Sequence, residues 1–189
     1  MRHPWLILLL GVLLLPGCAT VSKNMATDPV AKDSGARSFG FFIEDANIER
    51  KAKLALARAS VELDDAHIVV VSFNGNLLLA GQVSSDSLRT QADNIARGIR
   101  HVRHVHNELK VSGNSGFLAR TNDAWLTSKV KSRLLVDGNT PGARTKVVTE
   151  SGVVYLMGLL TRAEADAVVA QVQQVSGVQK IVKIIEYID

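Results

Sequence analysis

The chain has one cysteine, Cys18, in 189 residues. That excludes an internal disulfide framework and any metal site built from several thiolates. Aromatic side chains make up only 5% of the chain, so each one that faces outward is informative. No apolar run reaches the roughly 20 residues that a comfortable membrane-spanning helix requires. The sequence contains no G-x-S-x-G nucleophile turn and no G-x-x-x-x-G-K-S/T phosphate loop. The acidic pairs Glu44-Asp45 and Asp64-Asp65 fall at helix edges, where carboxylates act as caps or solvated charge. These absences lead us to expect a non-catalytic protein with no cofactor and no metal. Nor is there a strong excess of one charge. Twenty-two Lys and Arg against 18 Asp and Glu leave a formal net charge of +4, compatible with an acidic partner such as anionic lipid or nucleic acid.

The N-terminus has the pattern of an export signal. Arg2 and His3 precede an apolar run from Trp5 to Leu15, followed by Leu15-Pro16-Gly17-Cys18. A cysteine directly after the cut makes residues 1–17 similar to the signal peptide of a bacterial lipoprotein, with covalent lipid on Cys18. The alternative is an ordinary secretory signal with an incidental cysteine. Several acyl chains on one residue would anchor the chain stably, because each buried CH₂ contributes about 0.8 kcal/mol. Ala19, rather than Asp, follows the cysteine. By similarity to lipoproteins of Gram-negative bacteria, that implies the outer membrane and its periplasmic face. An exported protein does not meet nucleic acid, which removes that reading of the charge. Residues 18–45 read as the lipidated N-terminus and a polar tether, able to reach roughly 90 Å when extended. Phe39, Phe41, Phe42 and Ile43 interrupt its polarity and are expected to pack onto the first module rather than make a second membrane contact.

A short phrase occurs twice: Gly75-Asn76-Leu77-Leu78-Leu79-Ala80-Gly81 and Gly152-Val153-Val154-Tyr155-Leu156-Met157-Gly158. The flanking segments repeat as well, so the chain reads as two copies of one module. In the first copy, Ile48, Ala52, Ala55, Leu56, Ala59 and Leu63 share one helical face. Ile68 to Phe73 and Leu77 to Val83 read as a hairpin around Asn74-Gly75-Asn76. A helix starting near Ser84 or Ser85 then buries Leu88, Ala92, Ile95, Ala96 and Ile99, and Val102 to Val111 is the last strand. In the second copy a helix over Asp123 to Val136 buries Leu126, Val130 and Leu134. The hairpin follows as Thr145 to Thr149 and Val153 to Leu160. Thr161-Arg162-Ala163-Glu164 is a capping box opening the next helix, and Val178 to Ile188 closes the module. Gly75, Gly81, Gly152 and Gly158 are read as structural, serving close backbone approach and turns. The expected class is α+β: two tandem α-β-β-α-β modules over 46–112 and 122–189, joined by a linker over 113–121. Each would be a three-stranded mixed sheet with two helices on one face.

Trp125 is the sharpest candidate for function. At 100° per residue it lies well off the stripe of Leu126, Val130 and Leu134, and its neighbours are Ser128, Lys129, Ser132 and, to one side, Leu135. A tryptophan on a polar face beside lysine has the character of a membrane–water interface residue. Lys129, Lys131 and Arg133 would attract anionic headgroups. The alternative is that Trp125 packs against the first module or against Phe117 and Leu118. His104 and His106 share a strand face near His101, but no further ligand with fitting spacing joins them, so strand surface is the better reading there.

The repeated α-β-β-α-β order behind a lipoprotein signal resembles the BON domain family, and within it the dual-BON outer-membrane lipoproteins. Carrying the resemblance are Ala26-Thr27-Asp28-Pro29, Asn122-Asp123-Ala124-Trp125-Leu126-Thr127-Ser128-Lys129-Val130 and Val154-Tyr155-Leu156-Met157-Gly158-Leu159. It implies binding of anionic phospholipid (phosphatidylglycerol, cardiolipin) through the first helix of the second module. It also implies a role in envelope integrity and enrichment at the division site. A second function class remains open: an adaptor for outer-membrane assembly proteins or other envelope factors, with Trp125 as hot spot.

Overall fold

The protein is described by a computed structural model covering Gly35 and residues 37–114, 116–138 and 140–189. Cys18 and the rest of the leader and tether up to residue 34 lie outside the described residues. The first module runs α1 (Phe39–Ala59), α2 (Val61–Asp65), β1 (Ile68–Phe73), β2 (Asn76–Val83), α3 (Asp86–Arg97) and β3 (His104–Val111). The second runs α4 (Phe117–Val136), a 3₁₀ turn at Gly142–Arg144, β4 (Lys146–Glu150), β5 (Val153–Leu160), α5 (Arg162–Gln173) and β6 (Lys180–Tyr187). Each module has one three-stranded mixed sheet with the repeated phrase at its centre: β1-β2-β3 and β4-β5-β6. The hairpin pair is antiparallel and the strand after the crossover helix is parallel.

Why the phrase is apolar without alternation follows from its position. All eight residues of β2 are buried, as are all but Leu159 in β5. Successive side chains point to opposite faces. Leu77, Leu79 and Val83 enter a core with Ile48, Ala52 and Leu56 of α1 and Ala92 and Ala96 of α3. Val154, Leu156 and Leu160 do the same with Leu126, Val130 and Leu134 of α4 and Val168 and Val172 of α5. The other faces meet each other: Phe73, Leu78 and Ala80 pack with Val153, Tyr155, Met157 and Ile184. The two sheets therefore stack back to back, with helices outside, within a single compact unit of Ser34–Asp189. Polar pairs tie the rim. Gln82 Nε2 donates to Glu150 Oε1 at 2.8 Å, His67 Nε2 lies 3.1 Å from Glu150 Oε2, and Arg103 reaches both Glu186 oxygens at 2.8 and 3.2 Å.

The hairpin turns are held from a distance. Asn74 and Gly75, and likewise Ser151 and Gly152, have positive φ (51° and 74°; 51° and 73°), the requirement of a tight two-residue turn. In the first module Asp45 of α1 accepts from Asn74 N at 2.9 Å, Gly75 N at 3.1 Å and Ser72 Oγ at 2.7 Å. In the second, Asp123 of α4 accepts from Ser151 N at 2.7 Å and Gly152 N at 2.9 Å. Asp45 is thus neither a cap nor solvated charge; it latches helix to hairpin. The other two structural glycines differ from one another. Gly81 has φ +125°, and a Cβ there would sit 2.0 Å from the His67 carbonyl oxygen. Gly158 lacks positive φ, and the atoms its Cβ would meet first all belong to the Leu160 side chain, from 3.0 Å, so close backbone approach does not explain it.

Several boundaries differ from the sequence-based expectation. Ser60, with φ −164°, ends α1 and caps α2 by accepting from Leu63 N, so Leu63 belongs to a separate short helix and Ala59 is exposed. The helices α1 and α4 start nine residues before Ile48 and Leu126, the first apolar residues of their core stripes. Phe39, Phe41, Phe42 and Ile43 therefore form the opening turn of α1 rather than packing onto the module, and stay between 49% and 77% exposed. Asp45 is the first buried residue of that helix, so the turn before it has no sheet beneath.

Candidate membrane interface

The helix α4 is anchored by one face and free on the other. Leu126, Val130 and Leu134 are fully buried, and Asp123 is turned inward to its hairpin. Opposite that stripe, Trp125 is 58% exposed. The Lys129 ammonium sits 4.2 Å from the centroid of the indole and donates to the Ser176 carbonyl oxygen and Oγ, both at 2.9 Å. Arg133 Nε donates to Gln171 Oε1 at 2.9 Å and its other arm to Gln174. These partners are neutral, and none of Lys129, Lys131 and Arg133 is paired with a carboxylate among the described residues. The cations are positioned without losing their field.

The seven expected lipid-contacting residues divide into two groups. Trp125, Ser128, Lys129, Ser132 and Arg133 line an open hollow of about 440 Å³ with Gln174, Val175 and Ser176. Lys131 and Leu135 line a second hollow of about 450 Å³ on the adjacent flank, facing Phe42 of α1. Two further residues were missed from sequence. Leu118 (82% exposed) and Val136 (86% exposed) lie seven residues before and eleven after Trp125, each about 20° from its line on the helix. With Leu135 about 80° to one side they extend an exposed ridge about 27 Å along the helix at 1.5 Å per residue, its apolar points separated by Thr121, Lys129 and Ser132. The signal was the helix start: with α4 opening at Phe117 rather than at Asp123, Leu118 moves from linker to ridge.

The histidines do not assemble. His101 has φ +73° and contacts Glu44 Oε1 at 2.5 Å, while His104 Nδ1 lies 3.1 Å from Asn76 Oδ1. Burial first, and then neighbouring His104, hold His106 below the ordinary imidazole pKa. Among the described residues no three His, Cys, Asp or Glu converge on a possible metal position, and no helix is long and apolar enough to cross a membrane.

A back-to-back pair of α-β-β-α-β modules carrying an amphipathic surface helix defines the class. The family model of the BON domain matches residues 44–113 and 122–189. Over 190 aligned residues the chain is 34% identical to the outer membrane lipoprotein DolP of Haemophilus influenzae, covering 97% of this chain and 95% of that one. It is 34% identical to a 21 kDa hemolysin of Actinobacillus pleuropneumoniae (80% and 78% covered) and 29% identical to osmotically-inducible protein Y of Escherichia coli (79% and 75% covered). The chain belongs to the BON domain family, among the outer-membrane lipoproteins of the DolP kind.

Proposed function

We propose that the protein is held at the periplasmic face of the outer membrane by acyl chains on Cys18 and lays α4 on anionic phospholipid there. Phosphatidylglycerol and cardiolipin fit the unneutralised cations. Support for envelope integrity and enrichment at the division site, where such lipids gather, follow from the same reading. The observation that carries it is Trp125: a half-exposed indole beneath a lysine ammonium, in line with Leu118 and Val136 and flanked by cations facing only neutral partners. Indoles of this kind prefer the headgroup level, and each basic residue near an anionic surface contributes about 1 kcal/mol. Two attachments on one chain raise the effective concentration, so α4 can bind weakly and still stay docked.

The test uses Trp125 itself, the one tryptophan left when residues 1–17, with Trp5, are removed. Adding phosphatidylglycerol vesicles to the mature chain should shift its emission to the blue and protect it from aqueous iodide. Zwitterionic vesicles should do far less. An unchanged spectrum on both would refute the proposal.

A further inference from the structure

The opening turn of α1 is apolar over more than half of its circumference, and no core explains it. Phe39, Phe41, Phe42 and Ile43 fall within five residues and at 100° per residue cover about 200° of the helix, with Gly40 and Glu44 in the remaining arc. A helix turn of that kind is stable when buried in protein or in lipid. Here it is buried in neither, since Asp45 is the first residue of the helix to reach the sheet. Phe41, Phe42 and Ile43 are about half covered; over Phe42 the Arg37 guanidinium lies 4.3 Å from the ring, stacked between it and Phe73.

What lies beside this turn identifies its occupant. Phe42 lines the same hollow as Lys131 and Leu135 of α4, so the apolar turn continues the Trp125 ridge around one side of the molecule. Gly35 lines that hollow too, and it is the described residue nearest in sequence to Cys18. Sixteen residues lie between the two, a reach of at most about 60 Å at full extension. The chain therefore enters the folded unit at the hollow flanked by the phenylalanines and the α4 ridge. Arg37, Lys131, Arg144 and Lys146 line its wall; Arg37, Arg144 and Lys146 are paired with Asp45, Glu164 and Glu49, so among the described residues Lys131 supplies the unneutralised charge that an anionic headgroup would meet there.

We infer that the first turn of α1 is a second membrane contact: it inserts into the leaflet that holds the acyl chains of Cys18, so that the first helices of both modules dock on one surface. This rests on the α4 reading for the orientation of the molecule. Each module then contributes a membrane contact, the first through Phe39, Phe41 and Phe42 at the start of α1.

The test uses the acylated mature chain in vesicles of phosphatidylethanolamine and brominated phosphatidylglycerol. Acylation consumes the Cys18 thiol, so Phe41→Cys can be labelled selectively with an environment-sensitive fluorophore. Ser87→Cys serves as control, because it lies at the start of α3, the opposite end of the module from the Asp45 hairpin. Trp125 is read in the unlabelled chain. The inference expects quenching at position 41 comparable to that of Trp125, with position 87 unquenched. A label at position 41 as unquenched as at 87, while Trp125 is quenched, overturns the α1 contact and leaves the α4 reading standing. If Trp125 is also unquenched, both are overturned. A blue shift at position 41 that grows with protein concentration in the absence of lipid would assign the turn to a second copy of the chain, overturning the membrane assignment.

Discussion

Removing the charge of Asp45 tests how α1 is held to the hairpin of the first module. The side chain is 8% exposed and accepts four bonds: from Ser72 Oγ, Gly75 N, Asn74 N and Arg37, the last at 2.5 Å. Burial by itself pushes this carboxyl up. The Ser72 hydroxyl, the two backbone N–H groups and the Arg37 guanidinium outweigh it and hold the group below the ordinary carboxylate pKa. Asp45→Asn keeps the shape. Its amide oxygen can still serve Ser72 and Gly75, but its NH₂ then faces the N–H of Asn74 and the Arg37 guanidinium, itself only 9% exposed. Leaving one partner of a buried ion pair uncompensated costs about 3 kcal/mol or more, a large share of the roughly 5–15 kcal/mol that stabilises a typical domain. Asp123→Asn disturbs the bonds from Ser151 N and Gly152 N and should cost less, about 2 kcal/mol. Urea unfolding followed by circular dichroism reads both. A native pKa below the unfolded value means the contribution is complete above about pH 4 and is lost as pH falls through the native pKa. The gap between wild type and Asp45→Asn should therefore narrow in acid. A loss below about 1 kcal/mol at neutral pH would refute the latch.

Two further outcomes are expected. Gly81→Ala should cost about 3 kcal/mol or more in thermal unfolding, because its Cβ meets a carbonyl and its φ is left-handed, whereas Gly158→Ala, meeting the Leu160 side chain first, should stay within about 1 kcal/mol. Equal losses would contradict the geometry. The Tyr155 phenol, buried between the sheets and near the Glu108 and Glu150 carboxylates, is pushed up to about 12. A raised native pKa favours the folded state fully below the unfolded value near 10 and is lost as pH rises towards 12, so Tyr155→Phe should flatten the stability profile over that alkaline window.

Much of the fold was legible because its signals are local. The glycine turns, the Thr161–Glu164 capping box and β5 depend on residues a few positions apart, and each was found where the structure has it. The back-to-back sheets were not legible. A central strand buried on both faces reads as continuously apolar whether the second face meets a helix or another sheet. The Asp45 and Asp123 latches span 29 to 30 and 28 to 29 residues, beyond any periodicity. The helix starts were missed for a different reason. Ser38 makes no side-chain cap bond, Gly116 has no side chain to cap with, and neither first turn carries an acid. That error hid Leu118 from the Trp125 ridge and assigned the α1 phenylalanines to the tether. At the candidate site the wheel found the outward indole but could not divide its neighbours between two hollows, since that depends on α5 and α1 packing alongside α4.

The most direct measurement of the central claim is the partition of Trp125→Glu between buffer and phosphatidylglycerol vesicles, using the mature chain with Cys18→Ser so that no acyl chain contributes. Trp125 is exposed and makes no core contact, so the variant should unfold at the wild-type temperature. Losing the indole from the interface is worth about 1.5–3 kcal/mol, and the added carboxylate opposes the anionic surface, so binding should weaken by roughly tenfold to a hundredfold. Vesicle binding equal to wild type would contradict the account.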